Sequence, residues 1–252
     1  MSEPNKGTTK HFAPLVTPAD VIAISAEPGC QLESVANAVA GLLNFNLLRI
    51  DDLYRHVALR AVQMGTDQED RAWFERQLVS YAVDSRLRFQ MDGSVYFRAR
   101  NVTALLRRRD VEELTQRVVR VIPQVERALN ELQRTYRQAP GLVAAGPNLH
   151  RVFHPPGAEH RRRTFLFHLN ADPEVRGLLI AQQRYAVGYL HINVGEIIKN
   201  LEVLAGTDQA RADKLARSSV DAVEIDTSSM TAEKMVNAII DRYRDERVKR
   251  GL

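Results

Sequence analysis

Apolar positions along this 252-residue chain follow two alternating patterns. In one, apolar residues recur at helical spacing and predict amphipathic helices, the first over Leu32–Leu43 and the last over Thr231–Arg250. In the other, short β-branched runs predict buried strands, at about Asp20–Ile24, Leu47–Ile50, Leu142–Ala145, Thr164–Leu169 and Val220–Ile225. Strands that alternate with helices in this way favour an α/β fold, with a parallel sheet covered by helices on both faces.

The pattern changes over residues 66–139. A helical segment there is followed by two strand-like runs joined by Asp92-Gly93, a dipeptide that favours a tight hairpin, and then by two more helices. We therefore predict an inserted lobe over 66–139 and a core formed by 19–65 and 140–252. Residues 1–18 are polar and lack periodicity, so we predict a flexible tail.

Acidic and proline residues predict where several helices begin. After the second strand, Asp51 or Asp52 is predicted to cap a helix that runs to about Gln63. Asp172 followed by Pro173 predicts the start of a later helix, because Asp is a favoured N-cap residue and Pro is tolerated in the first turn.

Composition narrows the class of protein. Hydrophobic residues make up 44% and charged residues 26%, as in globular proteins, and no apolar run approaches the ~18 residues of a membrane span, so we expect a cytoplasmic protein. The single cysteine, Cys30, excludes an internal disulfide and leaves no cysteine cluster, and we predict no metal site.

The net charge of +4 suits a phosphate-bearing ligand. We interpret the basic runs Arg107–Arg109 and Arg161–Arg163 as solvated surface, which we favour over an RNA-binding role.

The first strand leads into the most informative stretch, Val21–Ser34. A strand, a Pro/Gly turn and a helix in this order are the context of a phosphate-binding loop, whose pattern is G-x-x-x-x-G-K-[ST]. Here Ala26 stands at the first Gly, Gln31 at the second and Leu32 at the Lys. Only a hydroxyl is present, at Ser34, one residue beyond the [ST] position, so the structural context fits while the phosphate-binding chemistry is missing.

The order of these elements resembles that of bacterial cytidylate kinases, nucleoside monophosphate kinases that transfer the γ-phosphate of ATP to CMP or dCMP. The resemblance covers about Ala19–Arg242, and it rests on segments whose order and spacing match: Leu53-Tyr54-Arg55, Asn101-Val102-Thr103 before Arg107, Gln124–Pro155 and Val223–Ser228. It implies a P-loop NTPase-like three-layer α/β/α fold with an inserted NMP-binding-type lobe and a helical lid.

The family's phosphate loop, G-P-x-G-x-G-K-G-T, falls on Ala26–Ser34. The resemblance implies that Leu32 replaces the catalytic Lys, and that Glu33 places an anion where the phosphates dock. Gln31 replaces a glycine where the backbone must adopt a positive φ or approach the phosphates closely. The degenerate loop comprises Ala26, Gly29, Gln31, Leu32 and Ser34.

Two further family motifs have also lost charge. In D-G-R-D-x-G-T, Pro147 stands at the Arg and Asn148 at the Asp that follows it. In the lid motif R-x-x-R-R, Arg176 is kept, but the next two arginines are Leu179 and Ile180. Because phosphoryl transfer depends on positive charge around the transferring group, we predict no catalytic residue and an inactive or strongly impaired kinase.

The acceptor side retains more of the family pattern. In the family, residues at five matching positions contact the monophosphate or the cytosine, and these are Tyr54, Arg55, Arg107, Asp208 and Arg211. Simpler roles stay open, since Arg55 can form ion pairs with Asp51 or Asp52, and Asp208 with Arg211 can form a helix salt bridge.

Three functions are therefore weighed. The leading hypothesis is a cytidylate kinase-like pseudokinase that keeps the fold and weak binding of CMP or dCMP, with a binding or regulatory role and no cofactor. The first alternative is an active kinase in which Arg151 or Arg184 replaces the lost cations; only that alternative requires ATP and Mg²⁺. The second is an interaction module of a larger assembly, one that includes RNA or an unknown protein partner.

Overall fold

A computed structural model describes residues 19–65, 70–117, 119–155, 157, 159–186, 188–207, 210, 214 and 222–252. Its strands are β1 (Asp20–Ala26), β2 (Asn46–Arg49), β3 (Leu87–Phe89), β4 (Val95–Phe97), β5 (Arg100–Asn101), β6 (Gly141–Ala145), β7 (Thr164–Asn170) and β8 (Val223–Asp226). Five of them form a parallel sheet in the order β2-β6-β1-β7-β8. The predicted parallel sheet is thus confirmed.

Helices cover both faces of this sheet. They are α1 (Leu32–Leu43), α2 (Ile50–Gln63), α3 (Arg71–Val83), α4 (Thr103–Leu106), α5 (Arg109–Arg117), α6 (Pro123–Arg134), α7 (Leu149–Phe153), α8 (Pro173–Ala186), α9 (Val194–Ala205) and α10 (Ala232–Lys249). Alternate residues of β1 point to opposite faces: Val21 and Ala23 pack with α2 and α6, whereas Ile22 and Ile24 pack with α1 and α10. The three-layer α/β/α architecture follows from this central strand, which is buried on both sides. Among the described helices, none has the length and apolar character needed to cross a lipid bilayer.

The hairpin predicted at Asp92-Gly93 is present. Strands β3 and β4 pair antiparallel on either side of it, and Gly93 has a φ of 86°, which a glycine adopts without steric cost. Strand β5, which the sequence pattern did not indicate, adds a third strand next to β4. Apolar residues of this segment, such as Leu87 and Val95, belong to the same buried cluster as Val21 of the central sheet. The segment therefore shares its core with the rest of the protein, and the boundaries of the lobe stay a prediction.

The start of α2 differs from the prediction. The helix begins at Ile50, directly after β2, so Asp51 and Asp52 lie in its first turn and neither is the N-cap. Arg49 occupies the cap position without a capping side-chain hydrogen bond. The predicted cap is wrong because the chain passes from strand to helix without a loop, which turns Asp52 inward. Its carboxylate is fully buried and bound by arginines instead.

A buried histidine joins α2 to the three-stranded sheet. His56 is 1% exposed, its Nδ1 lies 2.8 Å from the Ser85 hydroxyl, and its ring packs against Phe97. Burial, followed by the nearby charge of Arg60, lowers the pKa of His56 to about 4, while Asp84 acts in the opposite direction. The imidazole is therefore neutral in the folded protein at neutral pH.

We expect this residue to make the protein acid-sensitive. In the unfolded chain the imidazole has a pKa near 6.5, so it takes up a proton more readily than the buried imidazole of the folded protein. The contribution of neutral His56 to the free energy of unfolding is therefore complete above pH 6.5 and is lost as the pH falls towards 4. Between pH 7.5 and pH 5 the free energy of unfolding should drop by about 2 kcal/mol more in the wild type than in His56→Asn. Urea unfolding of both proteins at the two pH values measures this. Equal losses in the two proteins would contradict it.

Candidate functional site

A cleft of about 960 Å³ opens at the carboxyl ends of β1 and β6. Its walls are the loop after β1, the first turns of α1 and α2, the segment from α4 to α5, the turn after β6, and α8. In open α/β sheets, ligands bind at this edge. Seven residues of the predicted degenerate loop and acceptor side line it: Ala26, Gly29, Gln31, Leu32, Ser34, Arg55 and Arg107.

The loop after β1 retains a tight backbone turn. Gly29 has a φ of 97°, and a Cβ at this position would lie 2.9 Å from the Arg176 backbone oxygen, so both conformation and space require glycine. Gln31, at a glycine position of the motif, has a φ of 50° and precedes α1 without a capping side-chain bond. The expected positive φ is therefore present in a residue that is less suited to it. Cys30 between them is buried, and burial raises the pKa of its thiol.

Two arginines of the cleft, Arg55 and Arg107, converge with the buried Arg49 on one buried carboxylate, that of Asp52. Arg49 donates from Nε to Asp52 Oδ2 at 2.7 Å, and Arg107 donates from Nη1 to Asp52 Oδ1 at 2.6 Å. Arg55 reaches the same Oδ1 at 3.4 Å. Short charge-assisted hydrogen bonds to a buried carboxylate fix the orientation of the guanidinium groups. Removing either partner would leave a buried charge without compensation.

Two further carboxylates, those of Glu33 and Glu112, contact these arginines. Glu33, in the first turn of α1, accepts from Arg107 at 3.0 Å and lies 3.9 Å from Arg55 and 4.0 Å from Arg49. Arg55 also donates to Glu112 at 2.8 Å. Burial lowers the pKa of Arg55, but the hydrogen bond and charge of Glu112 outweigh it, and the net shift is upward. The phosphate-clamping arginines inferred from the resemblance are thus engaged by carboxylates of the same chain.

Tyr54 lies outside the cleft. It is buried and lines an adjacent cavity of about 130 Å³ together with Arg120, Glu126, Asn148 and Arg151. Burial, followed by the charge of Glu126, raises the pKa of Tyr54 to about 12. Arg120 lines both cavities, so it connects Tyr54 to the cleft.

Arg120 is a residue that the sequence patterns did not single out. Its guanidinium lies over the Tyr54 ring at 5.4 Å and donates to Asp51 at 2.8 Å. It sits in a short 3-10 turn between α5 and α6, where no periodic pattern distinguishes it. Its proximity to Asp51, 69 residues earlier, arises only on folding.

Arg176, inferred from the resemblance as a lid residue, lies beside the loop and does not line the cleft. It is 4% exposed, donates from Nε to the Ala171 carbonyl at 2.9 Å and pairs with Glu27 at 3.2 Å. The two remaining acceptor-side residues, Asp208 and Arg211, are outside the described residues.

Most arginines of the two basic runs that are described make bonds within the chain. Arg108 and Arg109 pair with Asp110 and Glu113 of α5. In the later run, Arg162 donates to the carbonyl of residue 250 and Arg163 to the Asp20 carboxylate. Within the described ranges, no group of three or more His, Cys, Asp or Glu side chains is arranged to hold a metal ion.

Comparison with known proteins gives one consistent result. The family model described as cytidylate kinase matches residues 22–245. The chain is 30% identical over 227 residues to the cytidylate kinase of Ralstonia pickettii, covering 90% of this chain and 93% of that protein. It is also 30% identical over 227 residues to the cytidylate kinase of Bordetella bronchiseptica, covering 90% of this chain and 96% of the relative.

Proposed function

This chain belongs to the cytidylate kinase family, and on that premise we propose that it is a catalytically impaired member that binds CMP or dCMP in a regulatory or binding role. The observation that carries the proposal is the side-chain chemistry of the loop after β1. Over residues 26–34 it offers two carboxylates, Glu27 and Glu33, and no cation.

The donor side does not fit a triphosphate. Leu32 stands where the family has its catalytic Lys, and the Glu33 carboxylate lies at the start of α1, where a phosphate would approach the backbone N–H groups. Two unit charges of the same sign ~4 Å apart repel by roughly 4 kcal/mol at an effective dielectric constant of 20. This repulsion opposes the attraction of the helix N-terminus, so the loop offers the phosphates of ATP no favourable place.

The acceptor side keeps the groups needed for a phosphate monoester. Arg55 and Arg107 line the same wall of the cleft, and each can donate two parallel hydrogen bonds to a phosphate. Their bonds to the buried Asp52 hold both guanidinium groups in place before a ligand arrives. Such preorganisation lowers the entropic cost of binding, which supports weak binding of CMP without catalysis.

A thermal-shift panel tests this proposal. We expect millimolar CMP and dCMP, each with Mg²⁺, to raise the melting temperature more than ATP or ADP does. A ligand present at five times its Kd stabilises the native state by about 1 kcal/mol, which corresponds to roughly 2–4 °C for a chain of this size.

Two arginine variants make the panel specific. Arg107→Gln should abolish the CMP response, whereas Arg109→Gln, an exposed arginine of α5 that pairs with Glu113, should leave it unchanged. A response to ATP that equals or exceeds the response to CMP would contradict the proposal, as would a CMP response that survives in Arg107→Gln.

A further inference from the structure

The loop after β1 carries its own anions, and each one binds an arginine. Glu27 stands where the family pattern has Pro, and its carboxylate pairs with Arg176 at 3.2 Å. Glu33 stands where the pattern has Gly, and its carboxylate accepts from Arg107 at 3.0 Å. Both departures from the pattern therefore introduce a carboxylate that is paired with a guanidinium group near the ligand site.

The surroundings of Glu33 form a site for an anion. Its carboxylate lies within 4.0 Å of three guanidinium groups, those of Arg107, Arg55 and Arg49. It also belongs to the first turn of α1, where the helix dipole favours negative charge. A phosphate oxygen would be attracted to this position by the same groups.

Among the carboxylates that hold these arginines, Asp52 and Glu33 differ most in accessibility. Asp52 is fully buried beneath the guanidinium groups and cannot be replaced by a ligand from the cleft. The Glu33 side chain is 49% exposed and faces the cleft. A ligand phosphate that approaches Arg107 from the cleft therefore has to displace Glu33.

We propose that Glu33 determines the ligand specificity of the cleft by acting as an internal competitor for the phosphate of a nucleoside monophosphate. The proposal rests on the proposed function, because it concerns the same acceptor site. The Glu33 carboxylate accepts a hydrogen bond from Arg107 and lies 3.9 Å from Arg55, and a phosphate monoester binds only by breaking the bond between Glu33 and Arg107. An uncharged nucleoside does not compete with Glu33, so the carboxylate weakens the binding of CMP relative to cytidine.

Titration calorimetry of Glu33→Gln with CMP and with cytidine tests this. We expect the Kd for CMP to fall by about fivefold, which corresponds to the upper range of an exposed ion pair, while the Kd for cytidine changes less than about twofold. Glu33→Ala should also lower the Kd for CMP.

Glu113→Gln is the matched control. Glu113 is also a helical glutamate, its side chain is 50% exposed, and it accepts from an arginine at 3.0 Å, but it does not line the cleft. Glu113→Gln makes the same change in net charge and should leave the Kd for CMP within about twofold of the wild-type value, because the screened interaction between distant surface charges is small.

The outcomes separate this inference from the proposed function. If the wild type binds CMP and Glu33→Gln binds it no more tightly, the inference is wrong while the proposed function stands. An equal fall in the Kd for CMP and for cytidine would also overturn it, because that result indicates that the substitution widens the cleft and that no carboxylate is displaced by the phosphate. If neither the wild type nor Glu33→Gln binds CMP at millimolar concentration, both the inference and the proposed function fail.

Discussion

In a coupled assay with ATP, Mg²⁺ and CMP, the protein is expected to turn over at less than about 0.01 s⁻¹, at least a hundredfold below the ~1–100 s⁻¹ of ordinary kinases. The reason is the charge distribution of the loop after β1. Leu32 provides no cation at the catalytic Lys position, and Glu33 adds an anion beside it. Loss of one preorganised group that stabilises developing charge typically costs about 10²–10³ in kcat, and here a repulsive group is added.

The cytidylate kinase of Ralstonia pickettii, measured in the same assay, serves as the control. A turnover within about a hundredfold of ordinary kinases would contradict the impaired-kinase proposal. Rescue by other cations would then be the explanation to test, through Arg151→Gln and Arg184→Gln. Arg151 lines the cavity beside Tyr54, whereas Arg184 is exposed on α8 and is not among the residues that line the cleft.

Asp52→Asn is expected to lower the free energy of unfolding by about 3–5 kcal/mol, the usual cost of removing one member of a buried ion-pair cluster. The Asp52 side chain is completely buried and receives hydrogen bonds from Arg49, Arg55 and Arg107. The Arg49 side chain is itself only 5% exposed, so without the carboxylate its charge is left buried with weaker compensation. Urea unfolding at constant pH measures the difference.

Asp51→Asn provides the matched comparison for that experiment. Asp51 is the adjacent residue, but its side chain is 40% exposed and its ion pair is with Arg120 alone among the described pairs. An exposed pair of this kind contributes up to about 1 kcal/mol, so the loss should be several times smaller. A loss below about 1 kcal/mol in Asp52→Asn would show that the cluster is not a stabilising element of the fold.

Local patterns predicted most of the fold correctly. The bounds of α1 agree with the structure, and the hairpin at Asp92-Gly93 forms as its turn residues indicate. These elements depend on interactions between residues that are close in sequence, and periodicity records those. Strand β5 has only two residues, which are too few to show a period, and no local pattern indicates that Asp52 binds Arg107, which is 55 residues away.

Only some of the candidate residues lie together in the folded chain. The loop residues, Arg55 and Arg107 do line one cleft, as the spacing of the family motifs implies. Tyr54 lies in the adjacent cavity, and Arg176 is buried beside the loop. Both residues match the motif in sequence, but side-chain direction depends on the packing of their helices, which the motif does not encode.

Sequence alone was sufficient for the order of the longer strands and helices, the turn after β1 and the absence of a cation within it. It could not assign partners to the charged groups. Glu33 meets Arg107 across 74 residues, and Arg107 meets Asp52 across 55. Such pairs form when folding brings segments that are distant in sequence to one edge of the sheet, so the pairing of Arg107 with Glu33 and Asp52 is a property of the folded chain.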